Sequence, residues 1–172
     1  MHSSAHCSIS LSTRTMMAAP WGMLCAFIIA APVLASHSCH NVASVLYLFF
    51  SWMCHQIPER SFALSGFPLA VCHRCSGIYL GMFLGCFIEN KAVHGGPQTR
   101  RLLVAIAILP LGFDILAPMT GLWANTALSR FSTGLLFGVL VSSLVVHGFA
   151  EFVRDAPWRR LIRHLQLKGD LS

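Results

Sequence analysis

Two short stretches hold most of the side chains able to do chemistry: Cys54-His55 and, further along, Cys72-His73-Arg74-Cys75. A Cys-x-x-Cys step at a helix start sets two thiols one turn apart on one side, close enough to share an ion. Ser76 and Tyr79 fall on that same face, while Arg74 and the glycines lie roughly opposite. If the loop between the stretches folds back, Cys54 and His55 join Cys72 and Cys75. That is the donor set of a tetrahedral Cys3His zinc site. The same residues admit two other readings. In an oxidising compartment, Cys-x-x-Cys is a redox-active dithiol, and an adjacent cation such as Arg74 lowers a thiol pKa. Cys39 and Cys54 would then supply a second pair, in the layout of quinone-coupled thiol–disulfide oxidoreductases of the membrane. The third reading is a plain disulfide from Cys54 to Cys72 or Cys75 that fastens the loop in a non-enzymatic structural or assembly protein. Covalent haem is disfavoured, because Ser76 stands where a His must follow the second Cys.

Four charged residues accompany these thiols. Asp114 lies inside an apolar run, where an ionised group is costly and usually functional. It reads either as a general base or as the buried partner of an arginine. Arg130 opens the last apolar run, with Thr133 and Gly134 one turn on. Arg60, Arg74 and Arg130 gathered on one surface would hold a phosphate or carboxylate, free or lipid-linked; dispersed, they would anchor lipid headgroups. Asn125 reads as a cap for the last helix. Cys7, Cys25 and Cys86 stand alone and read as small hydrophobes. His94, His147 and His164 lie away from the set and are given no role.

The elements that must position these residues are membrane helices. Of 172 residues, 55% are apolar and 10% charged, too little polar surface for a water-soluble domain. The net charge of +6 does not indicate nucleic acid, because the basic residues sit beside the apolar runs. Runs 16–36, 67–88, 102–119 and 131–150 are each close to the roughly 20 residues a bilayer requires. Run 42–54 is too short and reads as a half-helix. Residues 16–36 are read as a retained span, with a cleaved signal peptide as the rival. The chain is therefore expected to be all-α, a polytopic helical bundle of about four transmembrane helices plus a half-helix. Residues 1–15 are expected to be a disordered extension, and 151–172 a basic amphipathic tail on anionic lipid. With loop 89–101 and the tail on one side, that side holds nine of the twelve Lys and Arg. Both termini are accordingly expected in the cytoplasm, with the motif residues facing the extracytoplasmic side. Gly77, Gly81 and Gly85, and Gly134 with Gly138, recur every four residues, the spacing that lets helix backbones approach closely in lipid.

The paired stretches Cys54-His55-Gln56-Ile57-Pro58-Glu59-Arg60-Ser61-Phe62 and Cys72-His73-Arg74-Cys75-Ser76-Gly77-Ile78-Tyr79-Leu80-Gly81 resemble a bacterial membrane family, "domain of unknown function 2085". The resemblance covers roughly residues 51–138 and takes in Pro110, Asp114, Asn125, Arg130, Thr133 and Gly134. It departs after Asp114, where many relatives carry Gly and then Gln but this chain has Ile115 and Met119 nearby. The resemblance implies a bacterial inner-membrane location and a shared outer-face site of Cys54, His55, Arg60, Cys72, Arg74, Cys75, Asp114 and Arg130. It implies no reaction.

Overall fold

The computed structural model describes residues 10–121 and 124–155. Within them the chain forms five α-helices and one small hairpin. Helix α1, Leu11–Ser36, starts at Ser10, whose Oγ accepts from the Thr13 amide at 3.3 Å. Residues 11–15 are thus helix, not the tail end of a disordered extension; residues 1–9 lie outside the described part. The helix stops in a Schellman turn. Ser38 adopts φ 63, its N–H donates to Ala35 O at 3.3 Å, and the Cys39 N–H donates to Leu34 O at 2.9 Å. The chain reverses at once into α2, His40–Ser51, close to the expected half-helix.

After α2 the chain makes an excursion: a 3-10 turn over Pro58–Arg60, then strands β1, Ala63–Leu64, and β2, Phe67–Pro68, paired antiparallel. The Ser65-Gly66 link has φ 53 and 84, the two left-handed residues of a tight hairpin turn. Only then does α3 begin, and it spans just His73–Gly85. Pro97 opens α4, Pro97–Leu116, in the first-turn position where a missing N–H costs nothing. Thr126 starts α5, Ala127–Asp155, through a reciprocal cap. Its Oγ1 accepts from the Ser129 amide at 3.1 Å, and Ser129 Oγ accepts from the Thr126 amide at 3.0 Å. The capping role expected of Asn125 thus belongs to its neighbour. The tail beyond residue 155 lies outside the described residues.

Helices α3 and α5 run parallel with their backbones almost touching. A Cβ on Gly77 would lie 2.2 Å from Phe131 O, and one on Gly138 would lie 2.4 Å from Ile78 O. Helix α1 runs the opposite way along α2 and α3 in turn. Toward its C-terminal end, Ile28 and Ala31 pack with Phe50, Cys54, Ala70 and Val71. Toward its start, Ala18 packs with Cys86 and Val146. So α2 and α3 succeed one another along α1. Their 12 and 13 residues match its 26. By helix rise the two pieces measure roughly 18 and 20 Å, against roughly 39 Å for α1.

Among the described residues, three segments are long and apolar enough to cross a membrane: Leu11–Ser36, Pro97–Thr120 and Ala127–Val153. The expected continuous span over 67–88 is not one of them. Its first part is strand and loop, and α3 alone falls short of the roughly 30 Å hydrocarbon core. The bundle end opposite the α1–α2 turn carries Arg14, which pairs with Glu89 at 3.7 Å and donates to Cys86 O at 3.3 Å. There Arg100 also pairs with Glu151 at 3.0 Å. The start of α1 and the end of α5 therefore share one end of the bundle.

Candidate functional site

The functional residues collect where α2 stops and α3 starts. Cys54 follows α2, Cys72 caps α3, and Cys75 lies in the first turn of α3. Their three sulfurs lie within 4.8 Å of one another. Cys54 is 7% exposed, and its sulfur accepts a hydrogen bond from the Cys72 amide at 3.2 Å. One side chain does most of the joining. Gln56 Nε2 donates to Tyr47 O at 2.7 Å, at the end of α2, and to Ala70 O at 2.8 Å, just before Cys72. Gln56 itself sits at φ 49, a conformation uncommon for a residue with a side chain. The Tyr47 hydroxyl adds a bond to Pro68 O at 2.6 Å. Sequence reasoning gave Gln56 no role; the available signal was its place directly after Cys54-His55.

Cys72 stands at the N-cap of α3, where the free helix amides favour negative charge on a thiolate.

The charged residues form a second layer. Asp114 is 4% exposed and makes an ion pair with Arg74. Its other carboxylate oxygen accepts from Ser129 Oγ at 2.9 Å. Asn125 Nδ2 donates to Asp114 O at 2.7 Å, and Asn125 Oδ1 accepts from Arg130 Nε at 2.9 Å. Asn125 therefore bridges α4 to Arg130. Ser129, which the sequence did not flag, completes the shell around Asp114.

Thiols and arginines meet in one cavity of about 390 Å³. Cys54, Cys72 and Cys75 line it together with His55, Arg60, Arg74 and Arg130. His55 is exposed and stands outside the three-sulfur group. Cys39 does not belong here. It precedes α2 while Cys54 follows it, and a helix of that length separates them by roughly 18 Å. A disulfide needs Cα atoms about 4.4–6.8 Å apart, so these two cannot pair. His147 is buried at the opposite end, with Nδ1 3.6 Å from Glu151. His73 packs edge-on against Phe62, ring centres 4.4 Å apart.

Comparison with known proteins gives a consistent picture. A family model described as "Predicted membrane protein (DUF2085)" matches residues 54–144, which takes in every residue of the cavity and of the Asp114 shell apart from Met53. An uncharacterized protein of Methanocaldococcus jannaschii is 32% identical over 114 residues, 65% of this chain and 73% of that protein. An uncharacterized protein of Methanothermobacter thermautotrophicus is 33% identical over 90 residues, 52% of this chain and 81% of that protein. Both relatives are archaeal, whereas the sequence resemblance implied a bacterial family. No solved structure matches.

Proposed function

This chain belongs to the predicted membrane protein family DUF2085, and from that premise we propose that it is a multi-pass membrane metalloprotein whose zinc-type ion is held by Cys54, Cys72 and Cys75. One observation carries the reading: three sulfurs from two separated stretches lie within 4.8 Å of one another. A tetrahedral ion with bonds of about 2.3 Å sets its sulfurs roughly 3.8 Å apart, within reach of small side-chain rotations. His55, on the cavity wall, would be the fourth ligand. An ion so held would supply Lewis acidity and lower the pKa of a bound water.

The surrounding residues set what the centre meets. Arg60, Arg74 and Arg130 orient an anionic substrate, free or lipid-linked, in the cavity beside the thiols. Asp114 reads from the sequence either as a general base or as the buried partner of an arginine. Its ion pair with Arg74 and its bond from Ser129 favour the second of these, holding Arg74 at the cavity wall. In the bilayer, α2 and α3 together make the fourth crossing, broken at the thiols. Arg14, Arg100 and Arg101 mark the cytoplasmic end of the bundle, leaving the cavity on the extracytoplasmic side of the plasma membrane.

The test is metal analysis and thiol titration on the same sample of the purified full chain. The expected result is about one equivalent of zinc per chain, falling below about a tenth in Cys72→Ser and Cys75→Ser. Less than about half an equivalent of any transition metal in the parent chain would overturn the reading. The same titration examines the quinone-coupled oxidoreductase, which requires Cys72 and Cys75 to cycle between thiol and disulfide in intact cells. The separation of Cys39 from Cys54 removes the second pair that scheme relied on. A purely structural or assembly protein would instead show Cys, Asp114 and Arg130 substitutions altering abundance alone.

A further inference from the structure

We infer that Met53 offers the thiol centre a second, softer fourth donor, so that the site takes up Cu(I) through Cys54, Cys72, Cys75 and Met53 as well as zinc through His55. The inference rests on the reading above of the three thiols as a metal centre, and it names a further ion and the residue that selects it. Two possible ligands flank Cys54 in the chain, Met53 before it and His55 after it. Both line the cavity with the three thiols. They differ in kind. An imidazole suits zinc, whereas a neutral thioether joined to thiolates makes a soft set that favours Cu(I).

The Met53 sulfur is held in place. The Tyr79 hydroxyl donates to its Sδ at 3.4 Å. Tyr79 follows Cys75 by one helical turn and packs in the same cluster as Cys54, Cys72 and Cys75. Its ring is set in turn by Phe50 and Trp21, with ring centres 6.3 and 6.4 Å away. One side chain thus ties the thioether to the helix face that carries Cys75. A methionine that merely faced lipid would be left to rotate through its three side-chain bonds. Charge points the same way. Bound to the same three thiolates, Cu(I) leaves one more negative charge than zinc does. Arg60, Arg74 and Arg130 line the cavity, and no Asp or Glu is among its lining residues. An electropositive wall favours the more negative centre.

The experiment uses the purified full chain in detergent, reduced and kept free of oxygen, with Cu(I) and zinc each titrated against a chromophoric chelator. Met53→Leu should weaken Cu(I) binding at least about tenfold and leave zinc within about twofold, and Tyr79→Phe, which only frees the thioether, should weaken Cu(I) about tenfold. His55→Gln should do the reverse, weakening zinc and sparing Cu(I). Cys75→Ser should weaken both, which ties both ions to one cluster. Met53 is exposed and leucine is close to it in volume, so Met53→Leu should keep the parent's unfolding midpoint. Equal Cu(I) affinity in the parent, Met53→Leu and Tyr79→Phe would overturn the inference. So would equal loss of zinc and Cu(I) in Met53→Leu, which would make Met53 a prop for the fold of the site. His55-dependent zinc binding by a chain that takes up no Cu(I) would sink this inference and leave the zinc reading standing. Met53-dependent Cu(I) binding by a chain that takes up no zinc would do the opposite.

Discussion

Adding one methyl group to α3 should loosen the bundle and disturb the thiol cluster together. At Gly77 a new Cβ would lie 2.2 Å from Phe131 O and 2.9 Å from Leu135 N. Both are backbone atoms, so no side chain can swing aside. About 3.0 Å is the closest approach such a carbon tolerates, and α3 must withdraw from α5 by about 0.8 Å. Overpacking of this kind costs about 1–3 kcal/mol, against a helix-propensity gain of just under about 1 kcal/mol for Gly→Ala. The net loss in Gly77→Ala is up to about 2 kcal/mol, or up to about 8 °C in the unfolding midpoint for a chain of this length. Gly112 on α4 supplies the control, because a Cβ there meets nothing within 4 Å. Gly112→Ala should leave the midpoint unchanged or raise it by a few degrees. The displaced helix carries Arg74 and Cys75 in the preceding turn, and α1 and Cys54 lie across the cluster from α5. Gly77→Ala should therefore also weaken zinc retention against a competing chelator, while Gly112→Ala should not. The assay is thermal unfolding in detergent with chelator competition on the same preparations. Equal midpoints for the two variants would refute the packing argument. A lowered midpoint with parental zinc retention would refute the link from packing to the site.

Three further outcomes follow from the hydrogen bonds. Asp114→Asn removes the charge facing Arg74 and should destabilise the chain toward the lower end of the roughly 3–5 kcal/mol typical of a broken buried pair, because Arg74 keeps 23% exposure; an unchanged midpoint in thermal unfolding would show that the pair contributes nothing. Gln56→Ala strips donors from Tyr47 O and Ala70 O and should cost about 1–3 kcal/mol while weakening zinc binding, since it unties Cys54 from the strand before Cys72; chelator competition reads the second effect, and parental affinity would deny Gln56 its tethering role. Zinc should dissociate as pH falls, because thiolate ligands must lose their protons to bind and protons compete for them: full occupancy near pH 7.5 and release by about pH 5, reversed on return to the higher pH. Occupancy unchanged down to about pH 4 would argue against thiolate ligation.

What could be read from the residues, and what could not, divides along a physical line. Helix length and facing are local properties, so α2 was expected within three residues of where it ends, and the glycine face of α3 was assigned to helix packing before Gly77 was seen against Phe131 O. The convergence of Cys54 on Cys72 and Cys75 followed from a short connecting loop alone. The start of α3 was misjudged because Phe67, Pro68, Leu69, Ala70 and Val71 are apolar enough to pass for helix. A two-residue turn at Ser65-Gly66 makes strands of the first of them. Hydropathy does not distinguish an apolar strand from the beginning of a span. The pairing of Asn125 with Asp114 and Arg130 was equally hidden, because it depends on how the ends of α4 and α5 meet.

If α2 and α3 form one crossing, as proposed, the break between them has to satisfy its own backbone. Where α2 ends, carbonyls lose their helical partners, and where α3 begins, amides do. In surroundings without water each such group is costly. Here motif residues add bonds across the break. The Cys54 sulfur takes the Cys72 amide, and the Gln56 amide takes the carbonyls of Tyr47 and Ala70. The family match begins at Cys54, so its first residue is also the first beyond α2 that closes the gap. A helix that merely had to cross would need no such repair. The gap is therefore best explained by what it exposes, three sulfurs and three arginines lining one cavity. On the proposed reading Cys54 would tie the end of α2 to the start of α3 and also serve as a ligand. Its replacement by Ser should then disturb fold and metal together, whereas Cys75→Ser, whose sulfur satisfies no backbone group at the break, should remove the metal and leave the fold nearly intact.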